Sequence, residues 1–123
     1  MFKDRAFDLL EGLEADNSKG WFDAHRDEVR TLLQEPFAAT LSAISDRLAS
    51  SETPLSGSER TMFRMSRDVR FSNDKSPYST HVSGVLTRSG AKSEADGVAY
   101  LHLEKDGGFV AVGWYKLKVT FNA

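Results

Sequence analysis

Residues 64 to 78 read RMSRDVRFSNDKSPY, and this stretch gathers most of the side chains whose types and spacing could do chemistry. Arg64, Arg67, Arg70 and Lys75 stand against only Asp68 and Asp74, a local excess of positive charge in a protein with a formal net charge of -2. The planar fork of arginine matches phosphate and carboxylate oxygens two at a time. Two like charges about 6 Å apart repel by about 3 kcal/mol at an effective dielectric of about 20, and by under about 1 kcal/mol in bulk water. A packed loop therefore needs neutralising partners where a solvated one does not. Those partners are either a bound anion or carboxylates from elsewhere in the chain. In the ligand reading, Arg64, Arg67, Arg70 and Lys75 hold the anion's oxygens, Asp68 and Asp74 orient the cations, and Tyr78 donates a hydrogen bond.

Other chemistry finds less support. Ser72 and Lys75 have the Ser-x-x-Lys spacing in which a lysine activates a serine, but that spacing works on a helix, and Pro77 with Ser76 before it opposes one here. His25, His81 and His102 are far apart and show no paired metal-ligand spacing, so no metal is expected. No glycine-rich phosphate cradle is present and no cofactor is expected. His81 and Asp68 are the candidate acids or bases if a reaction follows binding. With no cysteine in the chain, disulfides, thiolate ligands and a thiol nucleophile are excluded.

The elements that must position these residues fall into two halves. Residues 1–50 form a helical half. Ala6, Leu9, Leu10 and Leu13 recur at helical spacing between Lys3 and Glu14, and Asp16, Asn17 and Gly20 interrupt the pattern. Ser18 or Asn17 caps a second helix that buries Phe22, His25 or Arg26, Val29, Leu32 and Leu33, and Pro36 suits the first residue of a third with Phe37, Leu41, Ile44 and Leu48 on one stripe. Residues 51–60, polar with Pro54 and Gly57, read as a loop. Residues 61–123 form a strand half. Phe63, Met65, Arg67, Val69 and Phe71 alternate as one face of a strand beginning at Thr61, which places an arginine in an apolar row unless the strand bulges or ends there.

Asp106-Gly107 predicts a type I′ hairpin. That turn sets Glu104 opposite Phe109, Leu103 opposite Val110, Leu101 opposite Val112 and Ala99 opposite Trp114. The ribbon's other face then carries Tyr100 and His102 opposite Gly113 and Ala111, a possible pocket floor. Leu117, Val119 and Phe121 alternate with Lys116, Lys118 and Thr120 as a further strand would.

A chain of 123 residues, 40% hydrophobic and 28% charged, is expected to form a single domain with one modest core. The N-terminal segment places Asp4, Asp8 and Glu11 where a signal peptide needs an apolar run, and no later stretch is long enough to span a bilayer, so a cytoplasmic location without membrane association is expected. The slightly negative net charge opposes broad binding to duplex nucleic acid.

The run FRMSRDVRFSNDKSPYSTH, with NSKGWFDAHR before it and GVAYLHLEKDGGFVAVGWY after it, resembles the domain of unknown function 2461 family. Arg67 to Phe71 followed by Asp74 to Tyr78 carry the most specific part of the likeness, and Trp21, Phe22 and Arg26 match a helical motif more loosely. The resemblance implies an α+β domain and no established activity. Val29 stands where the family's helical motif would place a tyrosine. Family members usually continue past this point with a further loop and helices, so the chain is expected to be a shortened member whose open sheet invites self-association.

The expected architecture is α+β: three N-terminal helices packed on a mainly antiparallel meander sheet of four or five strands. Three functional readings follow. The first is an uncharacterised protein whose basic loop, with His81, Tyr100 and His102, binds a phosphate- or carboxylate-bearing small molecule. The second is a nucleic-acid-binding module using the same loop with stacking by Phe71, Tyr78 or Tyr100. The third is a structural or interaction protein whose arginines serve internal ion pairs.

Overall fold

A computed structural model describes residues 2–52, 54–92, 99–112 and 115–119. Helix α1 (Asp4–Ala15) buries Ala6, Leu9, Leu10 and Leu13, the stripe that its spacing predicts. Ser18 caps helix α2 (Lys19–Val29), its hydroxyl accepting from the Trp21 N–H at 3.1 Å. Helix α3 (Glu35–Leu48) follows through a π-helical turn (Arg30–Gln34), so α2 and α3 form one long helix.

This corrects the expectation of three separate helices. Pro36 has no N–H for the helical ladder, and in regular α-geometry its ring would press on the carbonyl of Leu32. The π-turn loosens the backbone just ahead of it, and the Glu35 N–H donates to the Arg30 carbonyl, five residues back. The proline is absorbed by a widened turn instead of starting a new helix.

The helices pack on a three-stranded antiparallel face made by β1 (Val82–Leu86), β2 (Ala99–Glu104) and β3 (Gly107–Val112). The backbone of β4 (Tyr115–Val119) continues the ladder along the outer side of β3. Phe37, Leu41, Leu9, Leu33 and Val29 meet Val82, Leu86, Leu101 and Leu103 in one core, where each fully buried Leu or Phe contributes about 1.5–3 kcal/mol relative to exposure. At Gly84 a Cβ would lie 2.8 Å from Leu41 Cδ1 and 3.2 Å from the Thr61 carbonyl, so the close approach of α3 to β1 requires glycine there.

The strand expected from Thr61 to Phe71 does not form. The Phe63 N–H pairs with the Ser83 carbonyl at 2.9 Å, whereas the Arg67 N–H turns to the Pro77 carbonyl at 2.8 Å. Isolated bridges Met62–Gly84 and Ser66–Tyr78 mark this change of partner. The chain thus leaves the sheet before Arg67, and no guanidinium enters the apolar row.

The hairpin forms with a different register. Glu104 pairs with Gly107, Leu103 with Gly108, His102 with Phe109, Leu101 with Val110, Tyr100 with Ala111 and Ala99 with Val112, a shift of two from the predicted pairing. Lys105 and Asp106 avoid positive φ, and Gly107 supplies it at +124°, so the turn is not type I′. A shift of two preserves which face each side chain occupies, so the buried row of Ala99, Leu101 and Leu103 stands as read from the sequence. Gly113, Trp114 and Phe121 lie outside the described residues. Among the described residues no helix is long and apolar enough to cross a membrane.

Candidate functional site

The basic stretch closes into a loop over 68–76. Two backbone hydrogen bonds tie its base, Arg67 N–H to the Pro77 carbonyl at 2.8 Å and Ser79 N–H to the Met65 carbonyl at 2.7 Å. Within it, Asp68 accepts from its neighbour three times: Oδ1 from the Arg70 N–H at 3.2 Å and from Nε at 3.0 Å, Oδ2 from Nη2 at 2.9 Å. The Asp68 carboxyl is held below its ordinary range mainly by the Arg70 side chain, and the Arg70 guanidinium is raised in turn. Lys75 Nζ donates to the Val69 carbonyl at 2.7 Å and to that of Arg70 at 3.4 Å. Phe71, at the tip, is 94% exposed with the Arg70 guanidinium 5.6 Å from its ring centroid.

Beside this loop lies a cleft of about 180 Å³ walled by Asn17, Arg67, Asp74, Ser76, Tyr78 and His81, with Ser79 and Thr80 completing the lining. Arg67 Nη1 donates to the Ser76 carbonyl at 2.9 Å and lies 3.4 Å from Asp74 Oδ2. Asp74 Oδ1 accepts from the Ser76 N–H at 2.9 Å and from its hydroxyl at 2.7 Å. These Ser76 bonds lower the Asp74 carboxyl more than the charge of Arg67 does. The floor is fixed by Asn17, which pairs with the Tyr78 backbone, and by the Tyr78 ring, stacked on Phe22 with centroids 4.2 Å apart.

His81 joins this cleft to the sheet face turned away from the helices. Its ring stacks on His102 at 4.3 Å between centroids, and His102 stacks on Phe109 at 4.6 Å. The Tyr100 hydroxyl lies 3.0 Å from His102 Nδ1, and Glu104 Oε2 lies 3.2 Å from Nε2. A neutral His102 protonated at Nε2 satisfies both contacts, donating to Glu104 and accepting from Tyr100. Burial, helped by the adjacent His102, pushes the His81 pKa below its ordinary value. A neutral imidazole whose nitrogens make no hydrogen bond among the described residues can accept a proton or a hydrogen bond from a molecule in the cleft. Among the described residues no group of three or more metal-ligating side chains is placed to hold an ion.

A family model described as conserved hypothetical protein (DUF2461) matches residues 5–120. The chain belongs to this family. No curated protein and no solved structure matches it.

In this DUF2461 member the residues singled out from the sequence separate into four places. Arg67, Asp74, Tyr78 and His81 share the cleft. Tyr100 and His102 stand behind His81. Asp68, Arg70 and Lys75 bond within the loop. Arg64 lines a different cleft, with Met62 and Phe63.

The aromatics proposed to stack bases share no platform: Phe71 projects from the loop, Tyr78 lies on Phe22, and Tyr100 is near Phe63 and Phe109. Sequence reasoning missed Asn17 and Ser76 as cleft residues, because a residue of each type in its place reads equally well as a local cap or turn residue. Glu104 was legible in principle, since it follows Tyr100 and His102 at the period of a strand face. Phe109 was placed opposite Glu104 by the unshifted register.

Proposed function

We propose that this protein binds a small oxyanion or carboxylate in the cleft between the 68–76 loop and the start of β1, with Arg67 as the anchor. The disposition of the Arg67 guanidinium carries the reading. Its side chain is only 27% exposed, it lines the cleft, and among the described residues its hydrogen bond to the protein is made by Nη1. Nε and Nη2 remain for a bidentate contact with an oxyanion. The neutral His81 ring, which carries one N–H, supplies a further donor.

About 180 Å³ suits a group of a few heavy atoms, given that liquid water takes about 30 Å³ per molecule. Asp74, 3.4 Å from Nη1, competes with the ligand for the guanidinium. Arg70 and Lys75 fall outside this binding role. Their bonds within the loop favour a second, compatible reading in which those cations serve the loop's own conformation.

A thermal-shift screen with inorganic phosphate, sulfate, acetate and a sugar phosphate tests the proposal on the wild type, Arg67→Lys and Arg70→Ala. An anion at about a hundred times its dissociation constant stabilises the fold by about 2.7 kcal/mol. The expected result is a shift shared by wild type and Arg70→Ala and lost in Arg67→Lys, whose amine cannot form the fork. No shift with any of these anions, or an undiminished shift in Arg67→Lys, refutes the proposal.

A further inference from the structure

Arg64 belongs to a second cleft, of about 510 Å³, between the long helix and the segment that follows the short 3₁₀ turn at Glu59–Thr61. Its helical wall includes the π-turn, through Arg30 and Gln34, then Glu35 and Ala38. Such turns recur at functional sites because they alter the spacing of a helix's side chains. The opposite wall carries Glu59, Met62 and Phe63. Phe63 is a large apolar residue left 40% exposed, and Lys92 Nζ lies 5.9 Å from its ring centroid while donating to the Met62 carbonyl at 3.4 Å.

The charges around this apolar floor are of both signs. Arg30 is engaged by Asp27 at 3.5 Å. Arg64, Glu35 and Glu59 form no ion pair among the described residues. A polyanion would meet two carboxylates here, and a wholly apolar guest would strip water from three unpaired charges. A guest with an apolar body and one charge of each sign meets neither obstacle. The volume lies within the roughly 300–1,000 Å³ of ordinary small-molecule sites.

We infer that this cleft binds a zwitterion of amino-acid size with an apolar side chain. The body rests on Met62 and Phe63, the carboxylate meets Arg64, and the ammonium lies toward Glu35 and Glu59. The inference does not rest on the Arg67 cleft, which Arg64 does not line.

The test is calorimetric or NMR titration of the full chain with L-phenylalanine, 3-phenylpropionate, which lacks the amine, and phenethylamine, which lacks the carboxylate. Phenylalanine is expected to bind severalfold more tightly than either analogue. Arg64→Ala is expected to weaken phenylalanine and 3-phenylpropionate by about tenfold, the scale of one charge-assisted hydrogen bond, and to leave phenethylamine unchanged. Glu35→Gln with Glu59→Gln should instead erase the preference for phenylalanine over 3-phenylpropionate. Arg64 does not line the anion cleft, so the loss in Arg64→Ala by itself assigns the binding to this site. Arg64 is exposed and makes no hydrogen bond or ion pair among the described residues, so its alanine variant is expected to fold, as circular dichroism and melting would verify. Absence of saturable binding of phenylalanine up to about 10 mM, equal affinity for all three probes, or indifference to Arg64→Ala overturns the inference.

Discussion

Asn17 and Tyr78 hold one another by two reciprocal hydrogen bonds: Asn17 Nδ2 donates to the Tyr78 carbonyl at 2.9 Å, and the Tyr78 N–H donates to Asn17 Oδ1 at 3.0 Å. One side chain between α1 and α2 thereby fixes the end of the 68–76 loop, 61 residues away, and with it the cleft floor. Asn17→Ala leaves both backbone groups without their partner and is expected to cost about 1–3 kcal/mol, measured by urea unfolding. Asn17→Asp keeps the acceptor for the Tyr78 N–H but sets a carboxylate oxygen against the Tyr78 carbonyl, so it should also destabilise at neutral pH and recover in part as the carboxyl is protonated.

Gly84 makes a second point of close contact, between α3 and β1. A methyl group there would press on Leu41, Phe37 and the Thr61 carbonyl at once. Gly84→Ala should lower stability by about 1–3 kcal/mol, as overpacking does, with the anion cleft otherwise intact. A melt unchanged from the wild type would mean that α3 and β1 are less closely packed than described.

His81 gives stability a definite pH dependence. Its folded pKa lies below the ordinary 6.5, so on acidification the unfolded chain binds the proton first. The contribution is full above about pH 6.5 and is lost progressively as pH falls toward the folded value. The lowered carboxyls of Asp68 and Asp74 act in the same direction but in a separate, more acidic window, below about pH 4. His81→Phe keeps a ring for the stack on His102 and removes the proton site. Melting temperature against pH should therefore lose its upper step in this variant and keep the lower one.

Asp74 is the intramolecular rival of any anion at Arg67. Asp74→Asn removes its charge while its side-chain oxygen can still accept from Ser76. Affinity for phosphate or acetate should rise about two- to fivefold by isothermal titration, the scale of an exposed ion pair. Unchanged or weaker binding would place the anion away from the Arg67 guanidinium.

Much of the fold was legible because helical spacing and strand alternation report burial directly: the α1 stripe and the buried Ala99-Leu101-Leu103 row follow from residue type and period alone, whereas the choice of Ser18 over Asn17 as the α2 cap does not. Pro36 misled because a proline inside a helix and a proline at a helix start look alike in sequence, and only the π-turn before it distinguishes them. The hairpin register misled because Asp106-Gly107 suits two turns, and glycine placed its positive φ one position later than a type I′ turn requires. At the site, the charge of the basic stretch was visible but its division was not. Which cations bond within the loop, which lines the cleft and which leaves for another wall depends on a backbone that changes partner between Phe63 and Arg67. Alternation cannot register that change.

The most direct measurement is a titration of ¹⁵N-labelled protein with phosphate and with acetate, following the side-chain Nε–Hε signal of Arg67 together with the ring signals of His81. Binding in the cleft requires saturable shifts at Arg67, Ser76 and His81 with one dissociation constant, and little change at Arg70 or Lys75. Shifts confined to Arg70, Lys75 and Phe71, or small linear shifts spread over all basic residues, would contradict it and leave the loop as scaffold.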